Sequence, residues 1–331
     1  MKKTHNPLFL FLFFTTLLAP LPAMAQSAAS TGATFPSRPI RMITPAPPGG
    51  TTDLLARLIS PRLSQAFNKQ IVVDNRGGGG GVLAAELTAK AAPDGHTLLM
   101  AYSQHTTNVS LSAKPSYRAV DDFQPIVHVT SAPLVLVVNN NLPVTTVQEI
   151  ISYGKAHPGK LNFSSAGNGS TGHMSLELFK YMAKTNAQHI PYKGTGPSLV
   201  DLLGGSVQAS FAGILPIQPL LRAGRVRPLA VTSAKRVGSL PELPTIAESG
   251  ITGYEMVTWF GVLAPAGVPT PIVTRLNTEI VKVLRAPEIV QRLTSDGAEV
   301  VAGTSEAFEK TLRAELERLG KMVKATGARL D

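Results

Sequence analysis

The sequence predicts an α/β protein of two Rossmann-like α/β domains, joined by a hinge that the chain crosses twice, with a ligand cleft between them. Three observations carry this. Strand and helix patterns alternate in the order β-α-β-α-β over residues 39–102, the mark of a parallel sheet covered by helices. The alternation restarts at Pro133 and runs to Thr232. Two long amphipathic patterns then close the chain, and the simplest assembly returns them to the first half. The crossings fall near residues 125–135 and 233–255. Lobe 1 then comprises residues 26–130 and 251–331, and lobe 2 residues 131–250.

The first 25 residues read as an address. Lys2 and Lys3 precede an apolar run from Leu8 to Leu21, and Ala23-Met24-Ala25 has the small-x-small form of a cleavage site. This is a secretory signal peptide cleaved after Ala25, with an apolar run too short to span a bilayer comfortably. The mature chain starts at Gln26 and works outside the cytoplasm. Residues 39–44 (PIRMIT) form the first strand, residues 52–67 a helix that Pro61 kinks or splits, and residues 70–74 (QIVVD) the second strand. Gly77 to Gly81 are consecutive glycines, read as a turn for close strand–helix packing. A helix over 82–91 and a strand over 97–102 (TLLMAY) follow.

In the second half, residues 133–139 (PLVLVVN) read as a buried strand and 147–157 as a helix. Strands are predicted over 161–165, 189–192, 207–212 and 228–232, with helices over 174–184, 195–203 and 215–223 between them. The last section has a strand over 256–263, helices over 271–284 and 306–325, and a short strand near 299–301.

No cysteine is present, so disulfides and thiolate metal sites are excluded. About 300 mature residues supply an ordinary core and favour two domains. The formal net charge is +10, or +8 without Lys2 and Lys3. The basic residues are scattered and no aromatics interleave the densest group, Arg222, Arg225 and Arg227. Nucleic-acid binding needs a coherent basic face, so none is expected; a mild attraction for anions remains.

The most informative segments are two glycine-rich loops, each following a strand and opening a helix. The first is Thr44-Pro45-Ala46-Pro47-Pro48-Gly49-Gly50-Thr51-Thr52-Asp53. The second is Ser164-Ser165-Ala166-Gly167-Asn168-Gly169-Ser170-Thr171-Gly172-His173. A helix start offers unpaired N–H groups and a partial positive charge, and glycine lets a ligand approach closely. Both loops lie at carboxyl ends of strands, where open α/β sheets bind ligands. Tyr102, Phe211, Trp259 and Phe260 are candidate cleft walls, and His105 is another by position, although aromatics on strands more often sit in cores.

Other chemistries fit less well. Residues 167–172 match G-x-G-x-x-G, but no acid lies near the position a dinucleotide ribose requires, so no cofactor is expected. No phosphate-binding G-x-x-x-x-G-K-[ST] motif occurs. The seven histidines lack metal-ligand spacing. An exported serine hydrolase using Ser170 or Ser165 with His173 is the main alternative, although Asn168 breaks the G-x-S-x-G elbow and a first-turn histidine more often serves its own loop.

The segments FPSRPIRMITPAPPGGTTDLLARLIS, VVDNRGGGGGVLAAELTAKAAPDGHTLLM, LNFSSAGNGSTGHMSLELF, IPYKGTGPSLVDLLGGSVQASFAGI, GRVRPLAVTSAKR and PTIAESGITGYEMVTWFGVLAPAGVP occur in this order. Together they resemble the Bug or TctC-like solute-binding proteins of tripartite tricarboxylate transporters. The resemblance spans the mature sequence. It implies a two-lobed periplasmic binding protein fold (type II-like), flytrap closure, a periplasmic location, no enzymatic activity, and delivery to a large and a small membrane permease subunit. A ligand-sensing protein contacting a signalling ectodomain is a further alternative, and a monomer is expected. Carried onto this chain, the resemblance assigns carboxylate binding to Ala46, Gly49, Gly50, Thr51, Thr52 and Asp53, and to Ser165, Gly167, Gly169, Ser170, Thr171 and His173. Asp53 is expected to hold its loop, since its charge would repel an anion. Two departures stand out. Gly77 replaces a usual proline, and Phe211-Ala212-Gly213-Ile214 lacks an Asp-Asn pair common in relatives. The second makes the far end of the pocket apolar and favours an aliphatic or aromatic carboxylate over an amino acid.

Overall fold

The computed structural model describes Met1 and residues 35–327 other than Asp296; the predicted signal peptide beyond Met1 lies outside the described residues. In chain order the elements are β1 (Ile40–Thr44), α1 (Thr51–Phe67), β2 (Ile71–Asn75), α2 (Val82–Ala89), β3 (Thr97–Tyr102), α3 (Gln104–Leu111) and β4 (Phe123–Asn139). There follow α4 (Val147–Ala156), β5 (Asn162–Ser165), α5 (Thr171–Ala183), β6 (Gln188–Pro191), α6 (Thr195–Gly204), β7 (Ala209–Gly213), α7 (Ile214–Arg222) and β8 (Val226–Val231). The chain closes with β9 (Val257–Pro265), α8 (Thr270–Leu284), α9 (Pro287–Ser295), β10 (Glu299–Val300) and α10 (Ser305–Thr326).

The strands run β2-β1-β3-β9-β4-β7-β5-β6, with β8 and β10 also on β4. The predicted β-α-β-α-β unit is present: β1 pairs parallel with both β2 and β3. Ile40, Met42 and Ile43 are buried, as a strand covered on both faces requires. In the second half β5 lies parallel to both β6 and β7. The architecture is a two-lobed α/β fold. The halves meet at β4 and β9, an antiparallel pair running from Phe123↔Pro265 to Pro133↔Val257. Beyond that pair β4 continues into the second half, between β7 and β8.

Several elements differ from the sequence pattern. β4 begins ten residues before the predicted strand at 133. Its first half is interrupted by register shifts between Pro125 and Val127 and between His128 and Thr130, so its side chains lose the regular two-residue period. α3 was not predicted. Its sequence QHTTNVSL has weak helix propensity, and the hydroxyls of Thr106 and Thr107 bond back to the Ser103 carbonyl at 2.8 and 3.0 Å. α9 is also additional. Pro61 does not split α1, which is continuous through it with the ring on the exposed face.

α10 packs into both halves. Phe308 and Leu312 join a core with Trp259 and Leu263, while Leu319 and Met322 join the core of Phe163, Phe179 and Tyr254. The expectation that the last helix belongs to the first half alone describes only its first turns.

Candidate functional site

The first glycine loop leaves the carboxyl end of β1 and starts α1 at an N-cap, Gly50, that has no side chain to cap with. Asp53 organises this loop. Its carboxylate is 2% exposed, accepts the Gly49 N–H at 2.8 Å and binds Arg57 Nε at 2.8 Å. Asn75 Nδ2 lies 2.9 Å from the same carboxylate and 2.9 Å from the Ala46 carbonyl. Burial pushes the Asp53 pKa up, but hydrogen bonds from Arg57, Gly49 and Asn75 outweigh it and hold the group ionised below its usual range. Gly50 is required because a Cβ there would sit 2.6 Å from Ala46 Cβ. The Gly50 N–H is spent on the Pro47 carbonyl. The first-turn N–H groups of Thr51 and Thr52 have no intrahelical acceptor, by the geometry of a helix start.

The second loop leaves β5 and is held from within. Ser165 Oγ accepts the Gly167 N–H at 3.0 Å and contacts His189 Nε2 at 2.6 Å. His173 Nδ1 accepts the Gly169 N–H at 3.1 Å, which places the ring proton on Nε2. Ser170 caps α5 by accepting the His173 N–H at 3.3 Å. The His173 and His189 rings stack with centroids 4.0 Å apart. Burial lowers the pKa of both; His189 falls to about 3, helped by the His173 and Lys180 charges. Gly167 has φ +130, and a Cβ on Gly172 would meet the Phe211 carbonyl at 2.7 Å. Gly49, Gly50, Gly167 and Gly169 therefore shape their loops, and spend their own N–H groups there. The Thr171 and Gly172 N–H groups occupy the open first turn of α5.

One side chain bridges the two halves at this point. Gln104, at the start of α3, donates from Nε2 to the Asn168 carbonyl of the second loop at 3.0 Å. Its Oε1 accepts the Tyr102 hydroxyl. A Cβ on Gly80 would lie 2.7 Å from Gln104 Nε2, so the glycine run, folded as a turn at Gly79–Gly81, gives this amide its space. Neither Gln104 nor Asn75 stands out in the sequence, because each acts across tens of residues.

A cavity of about 350 Å³ opens beside the start of α1. Thr51, Leu54 and Leu58 line it from α1, Thr130 and Ala132 from β4, and Phe260 from β9. Its wall in the second half is Gly213–Pro216, the start of α7, not the second glycine loop. Gly213, like Gly50, is an N-cap without a side-chain cap. Thr130 is 1% exposed, and its hydroxyl has no hydrogen-bond partner among the described residues. Arg57 and Arg292 add positive charge to an otherwise mostly apolar lining.

The aromatic candidates separate. Tyr102 is half-buried near the loops, with its ring 6.4 Å from that of Phe260. Phe211 is packed among Phe163, Phe179 and Tyr254. His105 lies between Tyr117 and Phe123 with Nε2 2.9 Å from the Ala119 carbonyl, and burial lowers its pKa to about 4. Trp259 is buried against Phe308. Strand alternation turns Trp259 away from the face that carries Phe260. Among the described residues no cluster of three or more His, Asp or Glu is arranged for a metal, and no helix is long and apolar enough to cross a membrane.

Comparison with known proteins converges on one family. Residues 55–328 match the family described as "TctC: Tripartite tricarboxylate transporter family receptor". BugT of Bordetella pertussis is 38% identical over 311 residues, covering 93% of this chain and 95% of BugT. Among solved structures, R. palustris Rpa4515 with adipate is 40% identical with a TM-score of 0.84, covering 89% of this chain and 99% of that one. MatC (Rpa3494) from Rhodopseudomonas palustris with bound malate is 33% identical with a TM-score of 0.80, covering 87% and 100%. These relatives are binding proteins, and the chain belongs to their family, the Bug or TctC receptors of tripartite tricarboxylate transporters.

Proposed function

We propose that this protein captures a small aliphatic dicarboxylate outside the cytoplasm and delivers it to the membrane permease subunits of a tripartite tricarboxylate-type transporter. The observation that carries the reading is the uncapped start of α1, whose first residue, Thr51, lines a mostly apolar cavity that also holds Thr130, a hydroxyl without a hydrogen-bond partner among the described residues. One carboxylate binds at that helix start, where the helix dipole and the nearby Arg57 favour negative charge. The second glycine loop and α5 close over it from the other lobe. The methylene chain lies along Leu54, Leu58 and Phe260. The far carboxylate reaches the first turn of α7, where the Ile214 and Leu215 N–H groups are also uncapped. Adipate and malate in the neighbours support this ligand class.

The two lobes are those that β4 and β9 join, with α10 packing into both. They close as a flytrap on β4 and β9, and the protein works as a monomer without catalysis. Ser170 is committed as a helix cap by its own backbone contact, which disfavours the hydrolase reading. A thermal-shift screen of the mature chain against adipate, malate, aromatic acids and amino acids tests the proposal. An aliphatic dicarboxylate at about 100 times its Kd should stabilise the fold by about 2.7 kcal/mol without turnover. No stabilisation by any carboxylate, or turnover lost in Ser170→Ala, contradicts it.

A further inference from the structure

We propose that the end of the second half remote from its glycine loop docks on an anionic phospholipid surface. Strand ends define this part of the molecule. Asn139 closes β4 opposite Val226 at the start of β8, and β5 and β6 start side by side at Asn162 and Gln188. The connections there are bonded to one another. Asn140 donates to the Gly224 carbonyl, the Asn139 N–H to the Gln208 carbonyl, the Gln208 N–H to the Asn162 carbonyl, and the Thr185 hydroxyl to the Ile151 carbonyl. The second glycine loop leaves β5 at the opposite end. Lys155, in the last turn of α4, Lys160 before β5, Lys184 after α5, and Arg222 and Arg225 between α7 and β8 lie on these connections, all exposed. The sequence reads the basic residues as scattered, but the fold gathers these five at one end.

These charges are uncompensated. None of the five pairs with a carboxylate among the described residues, whereas Arg38, Arg41, Arg57, Arg62 and Arg118 of the first half each do. Arg227, half-buried, adds a sixth charge and donates to the Leu142 and Val144 carbonyls, which are not anionic. Glu149 is the one acidic residue within 139–161, 184–188, 205–208 and 222–227, and its carboxylate is taken up by the Thr145 N–H and hydroxyl. Like charges gathered at one end repel one another, and an anionic partner relieves that repulsion. None of the six lines the cavity beside α1, and they stand on separate connections, so they offer an open face instead of a pocket for one small anion. A bilayer bearing anionic headgroups matches such a face, because its potential acts on every charge within a Debye length. Tyr181, 44% exposed, lies one turn before Lys184, whose Nζ sits 4.4 Å from its ring centre. A tyrosine beside basic residues suits the headgroup level, where the ring is shielded and the hydroxyl stays wet.

The mature protein is sedimented with sucrose-loaded vesicles of phosphatidylcholine alone, or with about 30% phosphatidylglycerol added. At about 0.02 M salt the anionic vesicles should bind at least about tenfold more tightly than the neutral ones, and about 0.5 M salt should release the protein. Lys155→Glu with Lys160→Glu, and Arg222→Glu with Arg225→Glu, should each weaken that binding at least about tenfold with an unchanged circular-dichroism spectrum. Lys69→Glu with Lys310→Glu makes the same change in net charge at exposed sites of the first half, and should weaken it less than about twofold. No binding to anionic vesicles, equal binding to both kinds, equal losses in all three double variants, or no loss in any of them overturns the proposal. Capture by soluble poly-L-glutamate but not by anionic vesicles assigns the face to an acidic protein partner, and overturns it too. The assay contains no dicarboxylate, so its result stands apart from that of the thermal-shift screen.

Discussion

Asp53 is the residue on which the first loop depends, and its contribution is structural. Replacing it with alanine strands the Gly49 N–H, Asn75 and Arg57 in one step. Asp53→Ala should cost about 1–3 kcal/mol, measured as a drop in denaturant midpoint with unchanged slope. Gly172 makes the complementary point. An alanine Cβ there meets a backbone carbonyl that cannot swing aside, so Gly172→Ala should displace the start of α5 and weaken dicarboxylate binding more than it lowers stability. Isothermal calorimetry and thermal unfolding on one sample separate the two effects. The loop positions were legible in the sequence because glycine and hydroxyl residues cluster at helix starts. Their division of labour was not. Nothing local says that Gly167 and Gly169 spend their N–H groups on Ser165 and His173, or that Asn75 ties down Ala46 from another strand.

At the scale of elements, the second loop rests on neutral histidines. His173 holds Gly169 through a lone pair that protonation removes. Burial lowers the pKa of His189 to about 3 and of His105 and His128 to about 4, against about 6.5 in an unfolded chain. Between those values the unfolded chain binds more protons, so stability falls as pH drops below about 6.5, by up to about 1.4 kcal/mol per pH unit for each group. Carboxylates such as Asp53, held below their usual range, lose their contribution only at still lower pH. Glu315 works the other way, since its folded form keeps a proton up to about 7 and its contribution declines as pH rises toward that value. Thermal midpoints between about pH 7.5 and 4.5 should fall with acid, and His189→Gln should flatten the fall. A slope unchanged in that variant contradicts the assignment. Elements with a clean period, β1, β3, α5 and α8, were read within three residues at each end. α3 and the first half of β4 were missed for a physical reason: tertiary bonds and bulges, not periodicity, hold them.

For the whole molecule, the central device is the pair of strands that joins the halves, with Gln104 latching across the cleft to Asn168. Gln104→Ala removes a single interlobe hydrogen bond. It should weaken dicarboxylate affinity by about tenfold at most and raise the radius of gyration of the unliganded protein in solution scattering. An unchanged scattering curve and affinity would show that the contact carries no part of closure. The alternating α/β architecture and the position of each glycine loop between a strand and a helix followed from the order of strands and helices. The cavity wall at Gly213–Pro216 and the span of α10 across both cores did not, because both depend on how separated segments meet in three dimensions. The most direct test is a crystal structure of the mature chain grown with adipate. One carboxylate should lie within hydrogen-bonding distance of the Thr51 and Thr52 N–H groups, with its chain along Leu54, Leu58 and Phe260. Adipate found elsewhere, with the start of α1 open to solvent, would contradict it.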